Sequence, residues 1–255
     1  MIQFIKNGIN IKRNSSILAY IIYNFVTTLK LEMFENNLQL GNGIFTTQEI
    51  AQILRLPYYK VNKWITKYWD GELGKCYEQQ YSWSVGNTRA VGFHTLIEFY
   101  VMMQFAEAGV KTREVLKAHK ELAQFYKTNF PFAKKEVLDN IKTDKSKIYL
   151  QLNDDTISLD GSKQFNLDII KLFFKNLDFD NDMLASRFWP LGKNHEIVCD
   201  PHHKFGQPTL KNTNVQSEAI FRMYKANEPI PFIASIYEVS ENAVQDAVDF
   251  HKKSA

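Results

Sequence analysis

The sequence predicts a mainly α-helical protein with small β-hairpins, and three features of the chain carry this prediction. Apolar residues recur at helical spacing in residues 46–69, 94–126 and 216–252. Residues 80–93 and 147–159 instead alternate apolar and polar side chains around a turn, which is typical of hairpins. The order of these segments predicts a winged helix-turn-helix, a long helical region, a short β-hairpin segment and a C-terminal three-helix domain that resembles a helix-turn-helix.

The composition limits the classes of protein to be considered. The 255 residues include 31 Lys and Arg and 28 Asp and Glu, for a formal net charge of +3, and 45% are hydrophobic. This balance excludes a wholly disordered chain, and the net charge alone does not indicate nucleic-acid binding. Cys76 and Cys199 lie far apart, which suits a reducing compartment, so we expect a cytoplasmic protein. No apolar run reaches the length of about 18 residues that a membrane helix needs, so no membrane partner is expected.

Residues 1–32 differ in composition from the rest of the chain, and residues 1–40 are predicted to be a leader. Three basic residues precede an apolar segment, residues 17–31, which superficially resembles a secretory signal. No small-residue cleavage site follows it, so two alternatives stand. Either Met33 begins the working protein, or the leader forms an amphipathic helix that packs on the body.

Two short helices separated by a tight break are predicted between residues 45 and 69. Thr46 and Glu49 have the spacing of a capping box, which begins the first helix. Pro57 breaks the chain and suits the first turn of the second helix, residues 58–69. The predicted buried stripe of that helix consists of Val61, Trp64, Ile65 and Tyr68.

The opposite face of the second helix is basic and contains no acid before Asp70. Its residues are Tyr59, Lys60, Asn62, Lys63 and Lys67. A basic helix presented in this way is typical of a recognition helix in the major groove of DNA. The alternative is a helical hairpin whose lysines are merely solvated.

A strand, a Gly86-Asn87 turn and a second strand follow, and they complete a unit that spans residues 41–93. The hairpin resembles the wing that follows the helix-turn-helix in MerR-type regulators, and this resemblance implies that Asn87 and Arg89 approach the phosphate backbone of DNA. The alternative is a structural hairpin that covers the core.

Residues 54–64 resemble the turn and recognition helix of MerR-type regulators. The match rests mainly on Leu54, Val61 and Trp64. The resemblance implies DNA contacts at Lys60, Asn62 and Lys63, although Asn62 stands where the family usually has Arg. It also implies a homodimer formed through the helical region, residues 94–130, which would read two half-sites of an operator. An alternative for the same region is an effector pocket lined by Phe99, Met103 and Tyr126.

Residues 131–180 are predicted to be a connector. It contains a hairpin around Asn153-Asp154-Asp155 and an amphipathic helix, residues 166–176. The acidic turn is of the kind that satisfies its own backbone, so no metal site is predicted there.

Residues 181–255 are predicted to hold a short strand, residues 197–198, and three helices over residues 216–226, 230–237 and 240–252. The motifs that follow resemble the domain of unknown function four-three-three. They are Asp200-Pro201, Gly206-Gln207-Pro208, Asn212-Thr213-Asn214-Val215, Ile233-Ala234 and Tyr237-Glu238-Val239-Ser240. Asn214 departs from the Arg that the family usually has.

Residues 44–253 together resemble VapB-type antitoxins with a MerR-like head and this C-terminal domain. The resemblance implies that the protein neutralises a PIN-domain ribonuclease toxin and represses its own operon. The residues predicted to contact that partner are Phe188, Trp189, Lys193, Phe205 and Arg222. The alternative is that the aromatic residues build the core of the small domain.

Other classes of function are less well supported by the sequence. His195, His202 and His203 lie near Cys199 and Asp200 without the spacing of a zinc site, so no metal, cofactor or catalytic residue is predicted. Two alternatives to the antitoxin remain, namely a stand-alone MerR-like regulator that senses a small ligand and a protein-interaction adaptor.

Overall fold

The computed structural model describes residues 42–77, 80–143, 148–152, 155–158, 168–169 and 173–252. All of them belong to one compact unit, residues 36–255. The protein is mainly α-helical with small antiparallel strand pairs, as the sequence predicts. The predicted leader lies outside the described residues.

A winged helix-turn-helix begins the described chain. Its elements are β1 (Phe45–Thr46), α1 (Thr47–Leu54), α2 (Tyr58–Lys63), β2 (Ser82–Val85) and β3 (Thr88–Val91). The three strands form an antiparallel sheet in the order β1-β3-β2. The predicted capping box is present, because the Thr46 hydroxyl accepts from the Glu49 backbone N–H and Glu49 Oε2 accepts from the Thr46 N–H.

The second helix differs from the predicted one. After α2 the chain continues as a π-helix, Trp64–Leu73, and then as a short helix, α3 (Gly74–Tyr77). A π-helix has i→i+5 hydrogen bonds and more residues per turn than an α-helix, which shifts the buried positions along the chain. Trp69 therefore joins Trp64 in the core, whereas Tyr68 of the predicted stripe is only half-buried. Gly71 permits this geometry, since a Cβ there would lie 2.8 Å from the Thr66 carbonyl oxygen.

The core of the N-terminal half is organised around α4 (Phe93–Glu107), which packs on α5 (Thr112–Phe125). Glu98 and His119 are fully buried, and Glu98 Oε2 contacts His119 Nε2. The second carboxylate oxygen accepts a hydrogen bond of 2.9 Å from the Phe132 backbone N–H. One buried carboxylate therefore joins two helices and the turn that follows them.

The connector contains a four-stranded antiparallel sheet rather than a lone hairpin. A helix, α6 (Lys135–Asn140), leads into β4 (Ile141–Thr143), β5 (Ile148–Leu152), β6 (Asp155–Ser158) and β7 (Asp168–Ile169), in the order β6-β5-β4-β7. The predicted hairpin is confirmed by β5 and β6. The predicted helix over residues 166–176 is wrong, because Asp168–Ile169 pairs with β4 and Phe173–Asn176 forms a 3₁₀ turn. Sheet pairing overrides helical spacing there.

The C-terminal half has the elements that the sequence predicts, within about two residues. Two strand pairs, β8 (Leu177–Phe179) with β9 (Ala185–Phe188) and β10 (Ile197–Val198) with β11 (Thr209–Leu210), precede three helices. The helices are α7 (Ser217–Lys225), α8 (Ile230–Tyr237) and α9 (Glu241–Lys252). Within the described ranges, no helix has the length and apolar character needed to cross a membrane.

The C-terminal half packs directly on the first strand of the N-terminal half. The Ile44 N–H donates to the Phe205 carbonyl oxygen at 2.8 Å, and Gln207 Nε2 donates to the Ile44 carbonyl oxygen at 2.9 Å. Gly206 has φ of +85°, and a Cβ there would lie 2.5 Å from Cζ of Phe45. The close approach of the two halves therefore requires glycine at this position.

The buried Glu98 carboxylate generates a stability prediction. Glu98→Ala leaves His119 and the Phe132 N–H without their buried partner, so we expect the free energy of unfolding to fall by about 3–5 kcal/mol. The matched control is Glu72→Ala, which removes an exposed carboxylate 2.9 Å from Lys120 Nζ on α5 and should cost less than about 1 kcal/mol. Chemical denaturation measures the free energy of unfolding of both variants. Equally small decreases in the two would contradict the structural role of Glu98.

Candidate nucleic-acid interface

The turn between α1 and α2 holds the two helices at a defined angle. Arg55 ends α1 in the left-handed conformation with φ of 54°, and the Leu56 N–H bonds to the Ala51 carbonyl oxygen at 2.9 Å. Pro57 follows with φ of −60°, and its ring suits the entry to α2 because it lacks an N–H that would need a partner. The predicted break therefore has the geometry of a helix-turn-helix.

The predicted recognition face is exposed and positively charged. Tyr59 is 74% exposed, Lys63 and Lys67 are exposed, and Lys60 and Asn62 are half-buried. In the described part of the chain, none of the three lysines has a carboxylate partner. The ammonium of Lys60 lies 5.3 Å from the centre of the Trp64 ring, and those of Lys63 and Lys67 lie 6.0 and 5.7 Å from the Tyr68 ring.

The wing contributes less free charge than the sequence predicts. Asn87 is exposed at the hairpin turn. Arg89 is 43% exposed, and its Nη1 lies 3.4 Å from Asp70 Oδ2 and 3.1 Å from Ser82 Oγ. Asp70 also accepts the Tyr81 and Ser82 backbone N–H groups. Arg89 and Asp70 therefore attach the wing to the π-helix. The alternation of apolar and polar residues in the wing did not indicate this role.

Two of the five residues predicted to contact a partner protein belong to the core. Phe188 and Trp189 are 2% and 5% exposed, so their side chains cannot form a surface contact, and that prediction is wrong. The Phe188 ring packs on Tyr100 with 4.8 Å between ring centroids. The Trp189 indole N–H donates to Asp178 Oδ2 at 2.8 Å. Burial would raise the pKa of Asp178, but hydrogen bonds from Lys193 and Trp189 outweigh burial and lower it.

The other three residues of that set lie at the surface. Lys193 Nζ lies 2.7 Å from Asp178 Oδ1, and Arg222 Nη2 lies 2.6 Å from Glu218 Oε1, so each cation already has an acidic neighbour. Phe205 is 58% exposed and has φ of 57°.

A second helix-turn-helix in the C-terminal half repeats the backbone of the first. Helix α8 has eight residues, as α1 has, and ends at Glu238 with φ of 53° and ψ of 43°, against 54° and 43° at Arg55. The Val239 N–H bonds to the Ala234 carbonyl oxygen at 3.0 Å, which matches the bond from Leu56 to Ala51. A constant offset of 183 residues also pairs the buried positions. These pairs are Ile50 with Ile233, Ala51 with Ala234, Val61 with Val244 and Ile65 with Val248.

The two helix-turn-helix units carry opposite charge on the helix that follows the turn. Residues 58–67 contain three lysines and no acid. The equivalent residues 241–250 contain Glu241, Asp246 and Asp249 and no Lys or Arg. The second unit therefore lacks, on this helix, the cations with which the first unit can neutralise the phosphates of DNA. The charges are visible in the sequence, but the repeat lies in the backbone of the two turns.

The first helices of the two units also differ in how far their apolar residues are exposed. Ile53 of α1 is 4% exposed and borders a small cleft together with Phe250 and His251. Its equivalent in α8, Ile236, is 53% exposed, and Phe232 one turn earlier is 48% exposed. The second unit thus presents an apolar helix face at the surface of this chain.

His251 joins the two halves of the protein. It is 6% exposed, and its Nδ1 lies 2.6 Å from Gln52 Nε2, while its Nε2 lies 3.0 Å from Ser217 Oγ. Because the Gln52 amide nitrogen is a donor, the neutral ring with its proton on Nε2 satisfies both contacts. Burial lowers the pKa of His251, and the negative charge of Glu218 only partly opposes this effect.

Of the residues predicted to line an effector pocket, Met103 borders a cleft in the described part of the chain that Phe99 and Tyr126 do not border. Phe99 is fully buried, with ring centroids 5.7 Å from Trp64 and 4.6 Å from Trp69. Met103 instead borders an open cleft of about 300 Å³ with Tyr100, next to the turn at Leu56. Residues 95–102 of α4 are buried within one chain, so this stretch offers no free surface for the predicted dimer contact.

Comparison with known proteins gives a family match in the C-terminal part of the chain. Residues 197–251 match the family described as protein of unknown function, DUF433. This DUF433 part contains β10, β11 and the three C-terminal helices. No curated protein matches the chain. The X-ray crystal structure of Rv2018 from Mycobacterium tuberculosis is similar in fold, with a TM-score of 0.59 and 17% identity over 80% of this chain and 97% of that chain.

The buried histidines generate a prediction on pH. Burial lowers the pKa of His251 and also that of His94, which bonds to the backbone of Ala185, below the ordinary value of 6.5. The unfolded chain therefore binds protons near pH 6.5 that the folded chain does not yet bind. The free energy of unfolding should fall as the pH decreases from 7.5 to 5.5.

Chemical denaturation at the two pH values measures this loss. The His94→Gln, His251→Gln double variant should lose less stability between pH 7.5 and 5.5 than the unchanged protein. Two outcomes would contradict the attribution of this pH dependence to His94 and His251. One is a stability that rises toward pH 5.5, and the other is a loss of stability that the two substitutions do not reduce.

Proposed function

We propose that the protein is a DNA-binding antitoxin of a type II toxin–antitoxin pair. In this proposal it acts in the cytoplasm as a homodimer, binds operator DNA through residues 58–67, neutralises a PIN-domain ribonuclease toxin and represses its own operon. The observation that carries the DNA-binding part is the exposed face of α2 and its π-helical continuation, where three lysines have no acidic partner among the described residues.

The chemistry of this face suits the major groove. The cations of Lys60, Lys63 and Lys67 can neutralise phosphates and release the counterions that surround DNA, which makes binding favourable and dependent on salt. Asn62 is half-buried on the same helix, and an Asn amide can pair with both edge groups of adenine. Lysines would thus position the helix and Asn62 would read sequence.

The protein-binding part of the proposal rests on the contrast between the two helix-turn-helix units. The acidic charge of residues 241–250 argues against a second DNA contact, whereas exposed Phe232 and Ile236 are typical of a surface that binds protein. This assignment replaces Phe188 and Trp189 as the expected contacts. The resemblance of residues 44–253 to VapB-type antitoxins supports a PIN-domain ribonuclease as the partner.

A stand-alone regulator that senses a small ligand is the second candidate. The observation in its favour is the cleft of about 300 Å³ beside Leu56, which Tyr100 and Met103 border. A ligand there would contact the turn between α1 and α2 and so bias the recognition helix. Purification without a nuclease partner, from cells that express both genes, would favour this candidate.

The basic face generates a prediction on DNA affinity. The Lys60→Ala, Lys63→Ala double variant should bind the DNA upstream of its own gene more weakly. The slope of log K against log salt concentration should become shallower by about two, because two phosphate contacts are lost. Fluorescence anisotropy over a series of salt concentrations measures both quantities.

The matched control for this experiment removes the same charge elsewhere. Lys225→Ala with Lys252→Ala takes two cations from the C-terminal half and should leave affinity and slope unchanged. Equal losses in both double variants would mean that binding depends on net charge alone, and no loss in the first would exclude α2 as the recognition helix.

The exposed face of α8 generates a prediction on the protein partner. When the chain is co-expressed with the nuclease encoded by the adjacent gene, the two should co-purify and the nuclease should be inactive. Phe232→Ser with Ile236→Ser should abolish co-purification and restore cleavage of RNA, while DNA affinity stays the same.

Phe125→Ser is the control, because Phe125 is 59% exposed on α5 and lies outside the second helix-turn-helix. It should leave the complex intact. A complex that survives the double substitution on α8 would exclude that face, and the absence of any complex with unchanged protein would remove the antitoxin half of the proposal while the DNA half stands.

A further inference from the structure

A polar cleft of about 180 Å³ opens on the C-terminal half. Its residues belong to neither α2 nor α9, the helices that follow the two turns. It lies between the end of β9 and the turn that follows β11. The residues that matter for its chemistry are Arg187, Trp189, Asp200, His203, Lys211 and Asn214.

The single carboxylate of the cleft is already satisfied by the protein. Asp200 is 8% exposed at its side chain and accepts from Arg187 Nε at 2.9 Å and from the His202 backbone N–H at 2.9 Å. His203 Nδ1 lies 3.2 Å from the same carboxylate. Because Arg187 uses Nε for Asp200, the terminal nitrogens of its guanidinium remain as donors at a fixed position.

Lys211 adds a second cation without an acidic partner among the described residues. Its backbone N–H donates to the Glu196 carbonyl oxygen at 2.7 Å, which holds the residue at the rim. Its ammonium lies 5.7 Å from the centre of the Trp189 ring. Two permanent cations therefore border a cleft that contains one carboxylate, so the cleft has an excess of positive charge.

The turn after β11 supplies neutral polar groups on the third side. Asn212 is in the left-handed conformation with φ of 58°, and the Thr213 N–H bonds to the Leu210 carbonyl oxygen at 3.1 Å. The side chains of Asn212 and Asn214 border the cleft, and each can donate through its amide group. Cationic and neutral donors thus surround one small volume.

We propose that this cleft binds the oxyanion of a small phosphate- or carboxylate-bearing ligand. A guanidinium held by a carboxylate presents its remaining N–H groups in the planar arrangement that pairs with two oxygens of such a group. A concave volume of about 180 Å³ admits a small anionic group, whereas the phosphates of duplex DNA lie on a convex surface. This binding activity is separate from the proposed recognition of DNA and of a nuclease.

The test uses the full chain and two probes, inorganic phosphate and acetate, each titrated at constant ionic strength against chloride. The Trp189 indole N–H is the reporter in ¹H–¹⁵N spectra, because it donates to Asp178 and belongs to a residue of the cleft. We expect a saturable shift of this signal with at least one probe. Lys211→Gln should weaken binding about tenfold or more, since it removes one charge-assisted contact.

Lys225→Gln is the matched control, because its ammonium also lies over an aromatic ring, 5.8 Å from the centre of Phe221, but outside the cleft. It should leave the dissociation constant unchanged. Arg187→Lys keeps the charge and removes the planar pair of donors, so it should also weaken binding while the dispersed spectrum of the folded protein is retained.

The probe that saturates at lower concentration assigns the ligand class as phosphate or carboxylate. The proposal is overturned if the shift grows linearly without saturation, or if it is the same in Lys211→Gln and in Lys225→Gln. It is also overturned if neither small anion shifts the signal and a short duplex of unrelated sequence does, because the cleft would then be a nucleic-acid contact.

Discussion

The orientation of the candidate recognition helix depends on the buried contact between Glu98 and His119. Glu98 lies on α4, His119 lies on α5, and the second carboxylate oxygen of Glu98 holds the turn at Phe132. The Trp69 ring of the π-helical segment packs against the His119 ring with centroids 6.0 Å apart. A buried polar group that loses its partner is costly. Arrangements of α4, α5 and the Phe132 turn that separate Glu98 from its partners are therefore unfavourable. The segment that carries the lysines is thereby attached to a rigid core.

The two helix-turn-helix units share a backbone geometry but differ in the charge of the helix that follows the turn. Both helix-turn-helix units bury an Ile and a Val at equivalent positions and end their first helix with a left-handed residue, so their folding determinants are shared. The charged residues differ, with lysines in residues 58–67 and acids in residues 241–250, of which Glu241 is exposed and Asp246 is held by His195 and the Glu196 N–H. Two surfaces of different charge are therefore built on the same backbone, so the fold alone does not indicate what either surface binds. His251 connects the two units through its contact with Gln52.

Local signals in the sequence predicted the first helix, the break before the second, the wing hairpin and the three C-terminal helices. The capping box at Thr46, the break at Pro57 and the Gly86-Asn87 turn act over a few residues, and the structure has each of them. The errors arose where distant residues decide the outcome. The π-helical shift that buries Trp69 depends on packing against α4 and α5, the strand Asp168–Ile169 depends on β4, and the burial of Phe188 depends on Tyr100. The oxyanion cleft was missed because Arg187 and Lys211 are separated in sequence.

Site-specific photo-crosslinking at two equivalent positions tests the central claim most directly. A photoreactive phenylalanine analogue replaces exposed Tyr59 in one protein and exposed Asn242, at the offset of 183 residues, in another. Each protein is irradiated with DNA from upstream of its own gene and with the adjacent-gene nuclease present. The account predicts that position 59 crosslinks to DNA and that position 242 does not. A DNA crosslink from position 242 without one from position 59 would contradict it.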